Sequence, residues 1–240
     1  MKKYINTILF DADDTLWENE IFFRQTEQEF CLLLEKFGSK ETILKTLLKS
    51  EIETLPIYGF GIKGFMLSMI DTALQLGGEN LESNTILKIM ELGKEQLQRP
   101  VKVYEGVEDV LKSLQYSYRL VLATKGDPID QKRKIEASGL KSFFSHIEIM
   151  PDKTIRNYEE LLKNIDCYPH EIIMVGNSVK SDILPILQLG GRGIYIPCHT
   201  TWIHEIAECP QESPYFKQIQ NFTQIPEILQ MMTEFNHKSA

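Results

Sequence analysis

The chain contains 240 residues, of which 42% are hydrophobic and 25% charged, a composition typical of a globular protein with one large domain or a core domain carrying a smaller one. Its formal net charge is −8 and its densest basic tract is Lys132-Arg133-Lys134, which we expect to be a solvated helix face, so nucleic acid is not an expected partner. No apolar run approaches the roughly 20 residues that cross a bilayer, so we expect no membrane association. The apolar run near the N-terminus is too short for a signal peptide, so we expect a cytoplasmic location.

A strand over residues 5–10 is the first predicted element. Its apolar run, ILF, is followed at once by DADDT, which places carboxylates at Asp11, Asp13 and Asp14. Clustered negative charges repel one another and are costly to bury. We therefore expect the strand to end in a site where a cation neutralises them, with Asp14 turned away from that site or capping the next turn.

Residues 18–100 predict a series of helices and no confident strand. Apolar residues recur there at helical spacing, and Gly38 and Gly77-Gly78 are plausible helix ends. The predicted helices are FRQTEQEFCLLLEKFG, ETILKTLLKSEI, GFMLSMIDTALQLGG and NTILKIMELGKEQL. The segment GFGIKG at residues 59–64 matches a dinucleotide-binding fingerprint, but no strand precedes it, so we expect a loop between helices.

From residue 101 onward, short apolar strands alternate with helices. The predicted strands are YRLVLATKGD, HIEIMPDK, EIIMVGNS and GRGIYIP, and the helices between them are YEGVEDVLKSLQ, DPIDQKRKIEASG, TIRNYEELLKNI and VKSDILPILQLGG. Such alternation indicates a doubly wound parallel sheet, the α/β class. The first strand has the same character, so we expect residues 17–100 to be a helical cap inserted into a core domain of residues 1–16 and 101–240.

Polar residues follow the predicted strands. Ligands of doubly wound sheets bind beyond the carboxyl ends of the strands, so these residues are expected to converge on one crevice. They are Asp11 and Asp13 after the first strand, Thr124 after the second, Lys153 after the third, and Asn177 and Asp182 after the fourth. Carboxylate, amide and backbone oxygens suit a hard cation such as magnesium, and the set as a whole suits a polyanion such as phosphate.

The strand-end segments DADDT, LATKGD, MPDKT and GNSVKSD resemble, in this order, the four motifs of the haloacid dehalogenase (HAD) superfamily. The resemblance covers roughly residues 4–16 and 101–200. Four motifs in order, each after a plausible strand, are more specific than the first motif alone. The inserted helices resemble the C1-type cap of that superfamily, and the implied fold is its Rossmann-like core.

The resemblance implies a magnesium-dependent phosphatase that acts through an aspartyl-phosphate intermediate. Asp11 would attack phosphorus, Asp13 would serve as general acid and base, Thr124 would bind a phosphoryl oxygen, and Lys153 would balance charge. The implied metal ligands are Asp11, the backbone carbonyl of Asp13, Asn177 and Asp182. The implied partner is a small phosphorylated metabolite, and the chain is expected to be a monomer or a weak homo-oligomer.

Two positions refine this expectation. Members of the superfamily that cleave carbon–halogen bonds lack an aspartate two positions after the nucleophile, because a halide needs no proton, so Asp13 favours phosphate esters. Many HAD phosphatases carry aspartate where this chain has Asn177, which leaves open whether Asn177 or Asp182 is the direct metal ligand.

Two other functions stay open at this stage. A phosphomutase of the beta-phosphoglucomutase type would use the same residues and return the phosphoryl group to a sugar. A non-catalytic binding protein would keep the fold alone. The four cysteines are scattered and form no C-x-x-C pair, so we expect neither a zinc site nor a disulfide framework.

Overall fold

The structure, a computed structural model, describes residues 5–238, with side chains described up to residue 233. Within these residues the strands are Thr7–Phe10 (β1), Arg119–Lys125 (β2), His146–Met150 (β3), Ile172–Gly176 (β4), Arg192–Tyr195 (β5) and Phe216–Gln218 (β6). The α-helices are Glu20–Leu33 (α1), Lys40–Tyr58 (α2), Ile62–Gly77 (α3), Ser83–Gln98 (α4), Val107–Leu114 (α5), Pro128–Ala137 (α6), Ile155–Asn164 (α7), Leu184–Leu189 (α8) and Ile225–Lys238 (α9). No described helix is both long enough and apolar enough to cross a membrane.

The strands form one parallel sheet in the order β3-β2-β1-β4-β5-β6. β1 lies at the centre, where Phe10 is level with Leu122 of β2 and with Val175 of β4. The strand order reverses between β1 and β4, which is the topological switch point of a doubly wound sheet. The predicted fold class, a doubly wound α/β core with inserted helices, is therefore confirmed.

Both faces of the sheet are covered, and β1 shows how the sequence achieves this. Successive side chains of a strand point to opposite faces. Ile8 and Phe10 accordingly join an apolar cluster with Val107 of α5, whereas Leu9 joins a separate cluster with Tyr158 of α7. Because both neighbours of β1 are also buried strands, the acidic segment that follows it emerges from the most enclosed part of the sheet.

The described chain divides into two compact units. One contains residues 5–20, 101–125 and 134–238, with the sheet, and the other contains residues 21–100 and 126–133. The helical unit has its own apolar core, which includes Phe30, Leu47, Met69 and Ile89. That these units are separate core and cap domains stays a prediction.

The observed division differs from the predicted boundaries in two short segments. Residues 17–20 group with the sheet, where the backbone N–H of Glu18 donates to the carbonyl of Lys102 at 3.0 Å. Residues 126–133 group with the helices, because Asp127 forms a 2.9 Å ion pair with Lys63 and packs closely against Gly61. Residues 59–61 of the GFGIKG segment connect α2 to α3, as expected for a loop between helices, whereas residues 62–64 already belong to α3.

Candidate active site

Asp11 lies at the carboxyl end of the central strand. Its backbone N–H donates to the carbonyl of Val175 at 2.9 Å, which extends the pairing of β1 with β4 by one residue. Its side chain is buried, and Oδ2 accepts a 2.8 Å hydrogen bond from the Thr15 hydroxyl. The sheet therefore fixes the position of the backbone and Thr15 fixes one carboxylate oxygen.

Lys153 joins Asp11 to Asp182 in a buried ion cluster. Its Nζ contacts Asp11 Oδ1 and lies 2.6 Å from Asp182 Oδ1, and only 4% of the residue is exposed. Burial alone would lower the pKa of Lys153, but the two carboxylates raise it well above its usual value. One permanently charged ammonium group thus serves two carboxylates, which leaves the cluster one negative charge in excess when both are ionised.

Asp182 is held by the protein through both carboxylate oxygens. Oδ1 accepts from Lys153, and Oδ2 accepts from the backbone N–H of Ser178 at 2.9 Å. Residues Val179–Ile183 form a turn of π-helix that carries the side chain back beneath the end of β4. A Cβ at Gly176 would lie 2.3 Å from Asp182 Oδ2, so only glycine leaves room for this carboxylate. Burial raises the pKa of Asp182 to about 7, against the effect of Lys153.

Asn177 brings an amide group to the acidic strand end. One polar atom of that amide lies 3.1 Å from Asp11 Oδ2 and 3.2 Å from the backbone oxygen of Asp13. If the nitrogen faces these oxygens it donates to both. If the oxygen faces them, it lies about 3 Å from each of two other oxygens, and a cation among them would relieve the repulsion.

This set of donors fits a hard divalent cation. The described residues contain no group of three or more His, Cys, Asp and Glu side chains able to hold a metal ion. Here, however, one donor is an amide and one a backbone carbonyl, and magnesium accepts both kinds of oxygen. The structure brings Asp11, Asp13 and Asn177 together at this point, whereas both oxygens of Asp182 already accept hydrogen bonds from the protein.

Asp13 is bound by residues that sequence reasoning did not assign to the site. Lys134 Nζ lies 2.7 Å from Asp13 Oδ1 and 2.6 Å from Oδ2, and the indole nitrogen of Trp17 donates to Oδ1 at 2.7 Å. The prediction of a solvated face for Lys134 is wrong, because the residue is 8% exposed. The sequence did place Lys134 on the helix predicted to follow Thr124, one turn beyond Asp130-Gln131. A single lysine in a basic tract, however, gives little indication that it reaches the site.

Thr124 and Asp14 take different positions relative to the site. Thr124 is buried near the carboxyl end of β2, two residues beyond Leu122, which is level with Phe10. Asp14 has a positive φ of 61° and accepts hydrogen bonds from the backbone N–H groups of Asn19 and Glu20, both at 2.9 Å. Asp14 therefore caps the start of α1, as expected.

The fold and the site together define an α/β protein with a buried lysine between two aspartates at the carboxyl end of its central strand. A family model of the haloacid dehalogenase-like hydrolases matches residues 5–190. The chain belongs to this family, as its strand-end motifs indicated.

Individual relatives agree with this membership. The chain is similar to a haloacid dehalogenase-like hydrolase from Xanthomonas campestris of known crystal structure, with a TM-score of 0.88, 33% identity, and 98% and 95% of the two chains covered. It is 26% identical to human N-acylneuraminate-9-phosphatase over 94% of each chain. It is also 33% identical to glyceraldehyde 3-phosphate phosphatase from Methanothermobacter thermautotrophicus, over 35% of this chain and 39% of that protein.

Proposed function

We propose that this protein is a magnesium-dependent phosphatase that hydrolyses a small phosphorylated metabolite through an aspartyl-phosphate intermediate. The observation that carries the proposal is the buried Asp11–Lys153–Asp182 cluster at the switch point of the sheet. Family membership supports hydrolase chemistry, and the similarity to a phosphatase of an acylated sugar acid over nearly the whole chain supports a phosphate monoester as substrate.

In the first step, a carboxylate oxygen of Asp11 forms a bond to phosphorus while the bond from phosphorus to the ester oxygen breaks. Lys153 keeps the nucleophile in place and offsets the charge that accumulates when a carboxylate meets a phosphate dianion. Thr124, at the adjacent strand end, donates a hydrogen bond to a phosphoryl oxygen.

Asp13 handles the protons of both steps. It gives a proton to the departing alcohol oxygen, and then takes a proton from the water that attacks the phosphorylated Asp11 and releases inorganic phosphate. Lys134 and Trp17 bind its carboxylate, and these contacts would hold it in one orientation for proton transfer. This need for leaving-group protonation is why Asp13 favours an ester over a halide.

Asp11, the carbonyl oxygen of Asp13 and Asn177 would hold magnesium, and Asp182 would be a ligand through water. The bound ion supplies positive charge next to the transferring phosphoryl group. The convergence of the Asn177 amide with two oxygens supports this assignment. A metal here would also offset the excess negative charge that Lys153 alone leaves.

A phosphate-release assay tests the proposal. Purified protein is incubated with magnesium and a panel of phosphomonoesters that includes sugar, sugar-acid, triose and nucleoside phosphates. Release of inorganic phosphate from at least one ester is the expected result. Interconversion of sugar phosphates that requires a bisphosphate activator would identify a mutase, and binding without any turnover would identify a non-catalytic protein.

A further inference from the structure

A second polar cluster adjoins the candidate active site and is centred on Glu205. This residue lies after β5, at the end of a short helical turn over Ile203–Glu205. Its Oε1 accepts from Lys125 Nζ at 2.6 Å, and its Oε2 accepts from the hydroxyls of Ser178 at 2.6 Å and Ser181 at 2.5 Å. The side chain of Glu205 is 12% exposed, so these three partners replace most of its contact with water.

Each partner of Glu205 is next in sequence to a candidate site residue. Lys125 directly follows Thr124, Ser178 directly follows Asn177, and Ser181 directly precedes Asp182. A displacement of any of these partners would therefore be passed to a candidate site residue across a single peptide unit. Sequence reasoning assigned Glu205 no role, because nothing in the loop after β5 marks it as an interaction centre.

The hydrogen bonds around Glu205 close the segment of residues 178–182 into a fixed turn. The Ser178 hydroxyl accepts from the backbone N–H of Ser181 at 3.0 Å, and the Ser178 N–H donates to Asp182 at 2.9 Å. Lys125 Nζ also donates to the Ser181 hydroxyl at 2.8 Å. Glu205 thus connects the turn after β4 to the end of β2, two segments that the sheet itself does not pair.

Charge keeps this connection in place at neutral pH. Burial would raise the pKa of Glu205, but Lys125 and the two serine hydroxyls lower it to about 2. Glu205 is therefore ionised throughout the neutral range, and the ammonium group of Lys125 remains compensated. A carboxylate that accepts three short hydrogen bonds is a rigid connection, because charge-assisted hydrogen bonds are about twice as strong as neutral ones.

We propose that Glu205 is a positioning residue of the phosphatase site: it fixes the turn that carries Asn177 and Asp182 relative to the strand end that carries Thr124. This role rests on the proposed function. It acts through Lys125, Ser178 and Ser181, and Glu205 itself does not touch the reacting atoms.

The test compares Glu205→Gln with the wild-type enzyme in steady-state kinetics on a turned-over phosphomonoester. Glutamine keeps the shape but removes the charge and presents an N–H₂ group to the cluster. Because small misplacements of catalytic groups are costly, kcat is expected to fall at least about tenfold while KM changes less than about threefold. The matched control is Glu212→Gln, which lies in the same loop as Glu205, removes an ion pair with Lys217 of β6, and should leave kcat unchanged.

A double-variant cycle distinguishes positioning from a general loss of stability. If Glu205 acts through Lys125, the variant Lys125→Met/Glu205→Gln is expected to lose no more activity than the worse single variant. Fully additive losses, or a Glu205→Gln enzyme with kcat within twofold of wild type, would overturn the proposal. Should Glu205→Gln not fold, Ser181→Ala removes one partner only, and an unchanged kcat in that variant would overturn it equally.

Hydrogen exchange separates this proposal from the proposed function. In Glu205→Gln, the backbone N–H groups of residues 178–182 are expected to exchange at least about tenfold faster, while those of β1 stay protected. This measurement needs no substrate. A wild-type protein without phosphatase activity would end the proposed function, whereas unchanged exchange in the turn would end the positioning role of Glu205.

Discussion

At the scale of single residues, the acidic strand end is tolerable because each carboxylate has its own partner. Asp11 has Lys153 and Thr15, Asp13 has Lys134, and Asp14 has two backbone N–H groups. The sequence DADDT thus contains three aspartates in three different environments. In the proposed mechanism, this separation allows Asp11 to be the nucleophile while Asp13 handles protons.

Lys134 offers a direct test of the Asp13 environment. Lys134→Met removes the ammonium group that holds both Asp13 oxygens, and kcat/KM for a phosphomonoester is expected to fall about tenfold or more as the carboxylate loses its orientation. Lys132→Met is the control, because Lys132 is exposed two positions earlier on the same helix. Equal activity of the two variants would show that the ion pair has no bearing on turnover.

Part of the site was predictable from the sequence, and part was not. Asp11, Lys153 and Asp182 meet because the strands that precede them end at one edge of the sheet, which the pattern of strands and the order of the four motifs together predicted. Lys134 and Glu205 reach the same region from a helix face and a loop. The position of Lys134 depends on the direction of its side chain from the helix, and that of Glu205 depends on the conformation of its loop. No short sequence pattern specifies either.

At the scale of elements, the end of β4 and the following π-helical turn form a close contact. Gly176→Ala would place a Cβ within 2.3 Å of Asp182 Oδ2, which must displace the carboxylate from Lys153. We expect the free energy of unfolding to fall by about 2–3 kcal/mol in urea titrations, with loss of phosphatase activity. Gly38→Ala, whose added Cβ would meet its nearest atoms at 3.6 Å, should change the free energy of unfolding by less than about 1 kcal/mol. Comparable stabilities of the two variants would contradict this account of the turn.

Helix α2 contains a partly buried acid, Glu51, whose titration should be visible in stability. Burial raises the pKa of Glu51 from 4.5 to about 8, with a smaller contribution from Glu27 and an opposing one from Arg24. An acid with a raised folded pKa binds more protons when folded than when unfolded, so its contribution lowers stability as pH rises from about 4.5 to about 8.

Glu51→Gln removes this effect. Its free energy of unfolding should match that of wild type near pH 4 and exceed it by about 1–2 kcal/mol at pH 8.5, a value reduced from the full shift because the group keeps some contact with water. Urea unfolding followed by circular dichroism measures the difference. Glu53→Gln, an exposed position on the same helix, is the control and should show no such dependence on pH. A Glu51→Gln difference that is constant with pH would contradict the assignment.

The elements themselves show where sequence patterns lose information. The central strands were predicted because their apolar runs are long and buried on both faces, as in IIMVG of β4. β6, with the sequence FKQ, has three residues and one buried side chain, too short for any periodicity to emerge. The π-helical turn before α8 was predicted as ordinary helix, because its extra backbone residue leaves the apolar spacing almost unchanged.

At the scale of the whole molecule, a bound cation should stabilise the fold as well as enable catalysis. Chelation with EDTA is expected to abolish phosphate release, and magnesium at about 100 times its dissociation constant should add about 2.7 kcal/mol to the free energy of unfolding. Thermal unfolding with and without magnesium measures this. Asn177→Leu should lose most of the stabilisation. Full activity in excess EDTA would contradict a metal role.

The central claim is that Asp11 is the nucleophile of a phosphatase, and one paired measurement tests it most directly. Wild-type protein and Asp11→Asn, both shown to be folded by circular dichroism, are assayed for inorganic phosphate released from the best ester of the panel with magnesium present. The account predicts turnover by wild type and a loss of at least about a thousandfold in Asp11→Asn, because an amide oxygen is a poor nucleophile towards phosphorus. Equal phosphate release by the two proteins would contradict it.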